Sequence, residues 1–544
     1  MKTSCSRKTC GKIAPALAVS AVGSVAVSVS SSAYQSDGKT RAGVWPRSRS
    51  WPLLLLFWLA LLPAAVQAGP GPTKQALWHY SLLEGSELTD DCLACGRPTI
   101  QVPLRGSFNV SLQDENPLFA TYEVSDIEFV GGSGFGLTYE VKGRGTYRIG
   151  GEVALIQEMF LAVRITRDST VTEALLEAKS SIVQRRWPML RVELSQTNGT
   201  PFQVYDLVLA AAPLREIWFS TGAGFHSGTL KAPANEMSAG DLLSTTGRPV
   251  RRQHELTQQL GIMPVAPDLG LDGLDVRPGG ELAFTVDRGV FSETLGQLQE
   301  GDLLSDRGRI LLKNQALLDA FGVQPPVPDL GLDAVHIVSE RGAAPDEVWF
   351  SIEKDSFSER LGQVLRHGDI LSNRGLIVRS NRDLVSRFQP SDPTADLGLD
   401  ALYVWPSGEI WFSTEKGFKG TDGQIYAAGD LLSDQGYIVF RNLELLNSYA
   451  PVEDLADFGL DTVWVVTDFI SPALAPRLLS IVPDPNTGSV RLSWEGAGHV
   501  FQLEGASRMD DAYLPVSPIL PDLEFEHLET MKHSPTQFYR LRQW

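Results

Sequence analysis

A chain of 544 residues is too long for one hydrophobic core, so several domains or a repeat array are required by size alone. With 43% hydrophobic and 21% charged residues it is globular, and its 50 glycines and 33 prolines fit a turn-rich β architecture rather than a fibrous or disordered one. The formal net charge of −18 repels phosphate backbones and argues against a nucleic-acid partner.

The N-terminus reads as a leader. In RSRSWPLLLLFWLALLPAAVQAGP, residues 47–70, Arg47 and Arg49 precede an apolar run from Leu53 to Leu62 and a small-residue site ending at Ala68. That order fits a secretory signal peptide cleaved after Ala68. The run breaks at Pro63 and is short for a bilayer, so no transmembrane anchor is expected in the mature chain. The first 46 residues are rich in Ser, Ala and Lys/Arg without a folding pattern, and translation from the Val44 codon would give a conventional signal. Losing residues 1–68 removes eight Lys/Arg and one acid, which leaves a charge of −25. Cys5 and Cys10 go with the leader. For the remaining Cys92 and Cys95, an exported location and a short gap favour a disulfide over a redox site, and zinc would need two more ligands that the neighbouring sequence lacks.

Residues 75–212 alternate apolar and polar side chains in stretches such as Gly106–Leu112, Tyr122–Val130 and Met189–Leu194, the pattern of antiparallel strands with one buried face. The glycines of Gly131–Gly136 and Gly143–Gly145 are read as turns, since neither stretch opens a helix as a phosphate loop would.

Residues 213–467 form four tandem repeats. GDLLS (GDILS in the third copy) begins at Gly240, Gly301, Gly368 and Gly429, and DLGLD (DFGLD in the last) begins 28 residues later every time. The periods are 61, 67 and 61 residues, the longer one placing an insertion around 339–346 that is expected to be a surface loop. Each unit reads as three or four strands followed by a short helix. The helix is expected to be N-capped by Asn314, Asn381 or Asn442, with Gln253 in the first copy, and to cover a sheet with apolar residues at helical spacing. One strand, Asp461–Val466, is left over after the last unit, which permits either an exchange of strands that closes a ring or a simple cap. Residues 476–544 form a small C-terminal β module. The fold class is therefore mainly β: an N-terminal antiparallel β domain, four β-rich repeats each with a short helix, propeller-like or stacked, and the C-terminal module.

The recurring DLGLD aspartates invite a calcium reading: Asp268 and Asp272, Asp329 and Asp333, Asp396 and Asp400, Asp457 and Asp461. Calcium wants six to eight oxygens and each motif offers two side chains, so a turn in which Asp holds backbone amides and Gly takes a positive φ is favoured, with calcium as the alternative. The GDLLS aspartates (Asp241, Asp302, Asp369, Asp430) read as turn residues as well. The eight mature histidines never stand in a metal-ligand spacing, and no nucleophile elbow or Walker loop occurs, so no catalytic residue and no cofactor is assigned. Trp218, Trp349 and Trp411 sit on a repeated strand, where sheet packing outweighs sugar stacking.

The stretch Phe412-Ser-Thr-Glu-Lys-Gly-Phe418 resembles the Asp-box turn of sialidase-like propellers, with Glu415 in place of the aspartate; Asp287 keeps that acid and the stretch at Glu353 lacks the glycine. The resemblance implies a structural turn and no glycosidase chemistry. The DLGLDAL and WFST elements resemble uncharacterised secreted or cell-surface bacterial repeat proteins, and Leu492–Trp494, Gln502–Glu504 and Gln537–Arg542 resemble their short fibronectin type III-like ending. These resemblances imply location and architecture only. The expected function is an exported binding or scaffold protein, with carbohydrate or another surface protein as partner. The alternative is a propeller-like hydrolase acting on polysaccharide.

Overall fold

The structure, a computed structural model, describes residues 27–30, 77–132, 136–263, 268–323, 329–470, 472, 474–484, 489–528 and 536–544. The segment expected to be a signal peptide, with its expected cleavage site at Ala68, lies outside them. Of residues 1–68 only Val27–Ser30 is described, a short strand paired with Thr536–Gln543 of the C-terminal module, where the sequence offered no folding pattern. No helix among the described residues is long and apolar enough to cross a membrane.

The N-terminal domain is one antiparallel sheet of nine strands running from Leu77–Leu82 to Val204–Ala212. Its last strand pairs both with Leu190–Gln196 and with Glu87–Asp91, so the order of pairing returns on itself. The alternating residues point inward, where Tyr80, Phe108, Phe129, Tyr147 and Leu161 are among the fully buried. Gly143 and Gly145 are not turn residues; they lie within the strand Thr138–Gly150. A Cβ on Gly145 would stand 2.0 Å from the carbonyl oxygen of Phe160 in the adjacent strand, so glycine serves close strand contact there. Cys92 and Cys95 form a disulfide, with Cα atoms 5.5 Å apart.

The repeats form four sheets of four strands each. Their innermost strands are Leu274–Val276, Val335–Arg341, Leu402–Val404 and Thr462–Val466, and each packs against the next in a cycle. The fourth of these comes from the chain's far end. Thr462–Val466 pairs with Glu216–Ser220, setting Trp464 opposite Trp218, and so completes the first unit with a strand from beyond the last helix. The left-over strand therefore closes a ring of four blades. Each unit also carries a two-stranded hairpin, and isolated bridges link Ile262 to Ser292, Val323 to Ser358, Pro390 to Gly420 and Ser227 to Pro451, joining the end of each unit to the hairpin of the next all the way round.

Two local expectations are corrected. The helices begin at Gln253, Asn314, Asn381 and Asn442, and the caps are the preceding Arg252, Lys313, Ser380 and Arg441. The Asn side chains are turned inward instead, because the buried turn that follows the helix has amides to satisfy. The insertion at 339–346 is no irregular loop. It lengthens a β-hairpin, with Val335–Arg341 paired to Ala344–Phe350.

The C-terminal module pairs Arg477–Asp484, Ser489–Glu495 and Glu524–Leu528 in one sheet, and Phe501–Ala506 with Leu514–Pro515 and Thr536–Gln543 in a second. Trp494, Phe501, Leu503 and Tyr539 are buried between them. All three modules meet at Asp468, which is 6% exposed. It accepts the His79 amide at 2.9 Å, two guanidinium bonds from Arg215 at 2.8 and 2.6 Å, one from Arg542 at 3.1 Å and the Trp544 indole N–H at 2.6 Å. Burial alone would raise its pKa, but Arg215 and Arg542 outweigh burial and hold it low. Asp468→Ala would strand buried guanidinium groups, so we expect a loss of about 3 kcal/mol in the first transition of a urea melt, with the Trp544 environment changed in near-UV spectra.

Candidate functional site

The first aspartate of each DLGLD works within its own unit. Asp268, Asp329 and Asp457 accept the amides of Gly240, Gly301 and Gly429 at 2.9–3.1 Å, across 28 residues in each case. The invariant offset in the sequence is therefore the span of one hydrogen bond. Asp268, Asp329, Asp396 and Asp457 also accept the amide of the glycine two residues on, which has φ between +70° and +74°. The same turn is clamped from the helix. Asn314, Asn381 and Asn442 accept the amides of Leu330, Leu397 and Phe458 and donate to the carbonyls of Gly331, Gly398 and Gly459; Gln253 accepts the Leu269 amide. The GDLLS aspartates accept the first helical amide, with Asp241, Asp302 and Asp430 also paired to Arg252, Lys313 and Arg441.

The second aspartate does something else. Asp272, Asp333, Asp400 and Asp461 stand at the start of the four innermost strands and converge on a cavity of about 240 Å³ at the ring axis, also lined by Asp287 and Gly222. Among the described residues none of the four accepts a hydrogen bond or joins an ion pair. Each is positioned by its neighbour: the carbonyls of Leu271, Leu332, Leu399 and Leu460 accept the hydroxyls of Ser220, Thr285, Ser351 and Ser413 from the preceding blade at 2.6–3.0 Å. Burial first, then repulsion from neighbouring carboxylates, raises their pKa values: Asp400 to about 8, Asp461 to about 7, Asp272 and Asp333 well above the ordinary range.

A further set of acids backs this ring. The residue six beyond the Glu that opens the equivalent strand of each unit (Glu216, Glu281, Glu347, Glu409) is Asp287, Glu353 or Glu415, and Gly222 in the first unit. Asp333, Asp400 and Glu415 have carboxylate oxygens within 4.8 Å of one another. The DLGLD glycine makes room for these acids, since a Cβ on Gly331 or Gly398 would lie 2.2 or 2.3 Å from the carboxyl carbon of Glu353 or Glu415. Burial raises Glu353 to about 7.

At the other end of the innermost strands lies a cavity of about 600 Å³ walled by Trp349, Tyr403, Trp405, Trp464 and Trp544. Its polar lining includes Asp275, Arg277, His336, Glu340 and His499. Asp275 accepts the Ile337 amide at 2.6 Å and lies 3.5 Å from His336 Nδ1, while Glu340 pairs with Arg277. Trp405 is 1% exposed, and its indole N–H has no partner. Trp218 and Trp411 are core residues bonded to Glu216 and Glu409, as strand packing demands; Trp349 is bonded to Glu347 but reaches this mouth.

No family model matches this chain. No curated protein matches it either. Among solved structures, the extracellular domain of a putative hybrid two-component system from B. thetaiotaomicron is similar at 8% identity with a TM-score of 0.18, over 81% of this chain and 72% of that one, a likeness that carries no argument.

The structure thus separates the eight candidate aspartates into four that hold turns and four that meet at the axis. The sequence reading missed Asp287, Glu353 and Glu415, which it took for remnants of a structural box. Their equal spacing from the strand-opening Glu was the available signal. It also missed Tyr403 and Trp464, which lie within innermost strands, Trp405, which follows one, and Trp544 of the C-terminal module. A pH dependence follows from the raised carboxylates. The folded state binds protons that the unfolded chain has released above about pH 4, so stability falls as pH rises through the window from about 4 to about 8. We expect the melting temperature in EDTA to drop by several degrees between pH 5 and pH 8.

Proposed function

We propose that this chain is an exported, non-enzymatic binding protein that holds a carbohydrate in the aromatic mouth of its ring. The observation that carries this reading is the combination there of five aromatic walls with the unpartnered indole N–H of buried Trp405. Sugar rings present C–H faces that stack on aromatics and hydroxyls that pair with polar side chains, and the lining includes Arg277, Asp275, Glu340 and His499. The Cys92–Cys95 disulfide supports an oxidising compartment, in keeping with the leader. Binding is favoured over hydrolysis because Asp275 and Glu340 are already engaged by Ile337, His336 and Arg277, which leaves no free acid pair facing the cavity from these residues.

A glycan array followed by a panel of chromogenic glycosides tests the proposal. We expect binding without turnover; hydrolysis of any glycoside would overturn the non-enzymatic reading. With the best array ligand, Trp349→Ala should weaken binding about tenfold and Trp405→Phe about fivefold, read by titration calorimetry.

A further inference from the structure

We propose that the carboxylate ring at the opposite pole is a calcium site, with Asp333, Asp400 and Glu415 as its nearest ligands and Asp272, Asp461, Asp287 and Glu353 surrounding them. This stands apart from the carbohydrate reading, which concerns the other end of the innermost strands.

The argument begins with what these aspartates do not do. In each motif the folding work falls to the first aspartate: Asp268 takes three backbone amides, Asp329 and Asp457 take two each, and Asp396 takes that of Gly398. The second recurs in all four units without a hydrogen bond or an ion pair among the described residues, so no turn accounts for it. Asp333 carries the case further. It is only 9% exposed, lines the axial cavity, and its Oδ2 is buried with no partner. An ionised carboxylate in that state is costly unless a cation meets it.

The neighbouring cations do not fill that role. Lys354 is drawn to Glu300 and Glu353, Lys416 to Glu415 and Arg288 to Asp287, and all three side chains are more than half exposed. His367 reaches Asp396 and Glu415 at 3.7 and 3.9 Å from the rim. None of these groups pairs with Asp272, Asp333, Asp400 or Asp461.

Donor chemistry selects the ion. The ligands are all oxygen, which suits calcium or magnesium and disfavours zinc or copper. Calcium binds six to eight oxygens at about 2.3–2.6 Å, so oxygens across one ion stand up to about 5 Å apart. The carboxylates of Asp333, Asp400 and Glu415 already lie within 4.8 Å of one another. Magnesium asks for a tighter octahedron at about 2.0–2.1 Å and usually keeps several waters, which seven carboxylates on four separate blades do not provide for. The site is also a clasp: an ion held by Asp333, Asp400 and Glu415 would tie the third blade to the fourth.

The test uses the full chain, stripped with EDTA and then titrated with calcium chloride or magnesium chloride, read by differential scanning fluorimetry and calorimetry. We expect calcium to raise the melting temperature by several degrees and magnesium to do so far less. Asp333→Asn with Asp400→Asn should raise the melting temperature of the stripped protein, because like charges are removed, and abolish the calcium response. Asp400→Asn alone serves if the double variant does not fold. Asp268→Asn, which damages only a turn, should lower the melting temperature while keeping the calcium increment. The proposal is overturned if the wild type shows no calcium response, if the response survives in the Asp333/Asp400 variant, or if magnesium equals calcium.

Discussion

The ring depends on four hydroxyls. Ser220, Thr285, Ser351 and Ser413 each donate across a blade boundary to the carbonyl of the leucine that precedes an axial aspartate. Each bond is worth about 1 kcal/mol by itself, but the four form a cycle, and Ser413→Leu460 is possible only because the chain's last repeat strand has returned to the first unit. Each link acts alongside the packed innermost strands and the bridges between successive units. The same bonds also help place the aspartates, since fixing the carbonyl of residue 271, 332, 399 or 460 fixes the peptide plane that carries the next Cα. Closure and site geometry are thus one constraint.

Much of this was legible in the amino-acid order. The 28-residue offset between GDLLS and DLGLD is conserved within the chain because Asp268 must reach Gly240, Asp329 must reach Gly301 and Asp457 must reach Gly429. The alternation of residues 75–212 and the left-over strand after the last helix likewise have their physical counterparts in a sheet with one buried face and a closed ring. What remained hidden depends on convergence. Spacing within one motif cannot tell that Asp272, Asp333, Asp400 and Asp461, separated by at least 61 residues, meet at one axis. Nor could Asn at the helix start be distinguished from a cap, because the partner it prefers, the amide of the buried leucine or phenylalanine sixteen residues on, exists only once the turn has folded back.

The two aspartates of DLGLD illustrate why a repeated residue resists functional reading from sequence. Both recur in every unit and both flank the same glycine. One is neutralised by amides at a corner that every blade must turn, so its recurrence follows from folding. The other contributes repulsion and no bond, so its recurrence needs a different cause. Burial and partner counting separate them, and neither quantity is available from spacing.

The ring is also unequal at its axis. Three blades place an acid six residues after the strand-opening Glu, whereas the first blade has Gly222, and a Cβ there would already stand 3.2 Å from Asp461 Oδ1. That blade is the one completed by the returning strand. Its side of the axial cavity is therefore lined by Gly222 where the neighbouring blade presents Asp287, and the carboxylate for which Gly222 leaves room, that of Asp461, belongs to the closing strand's own turn.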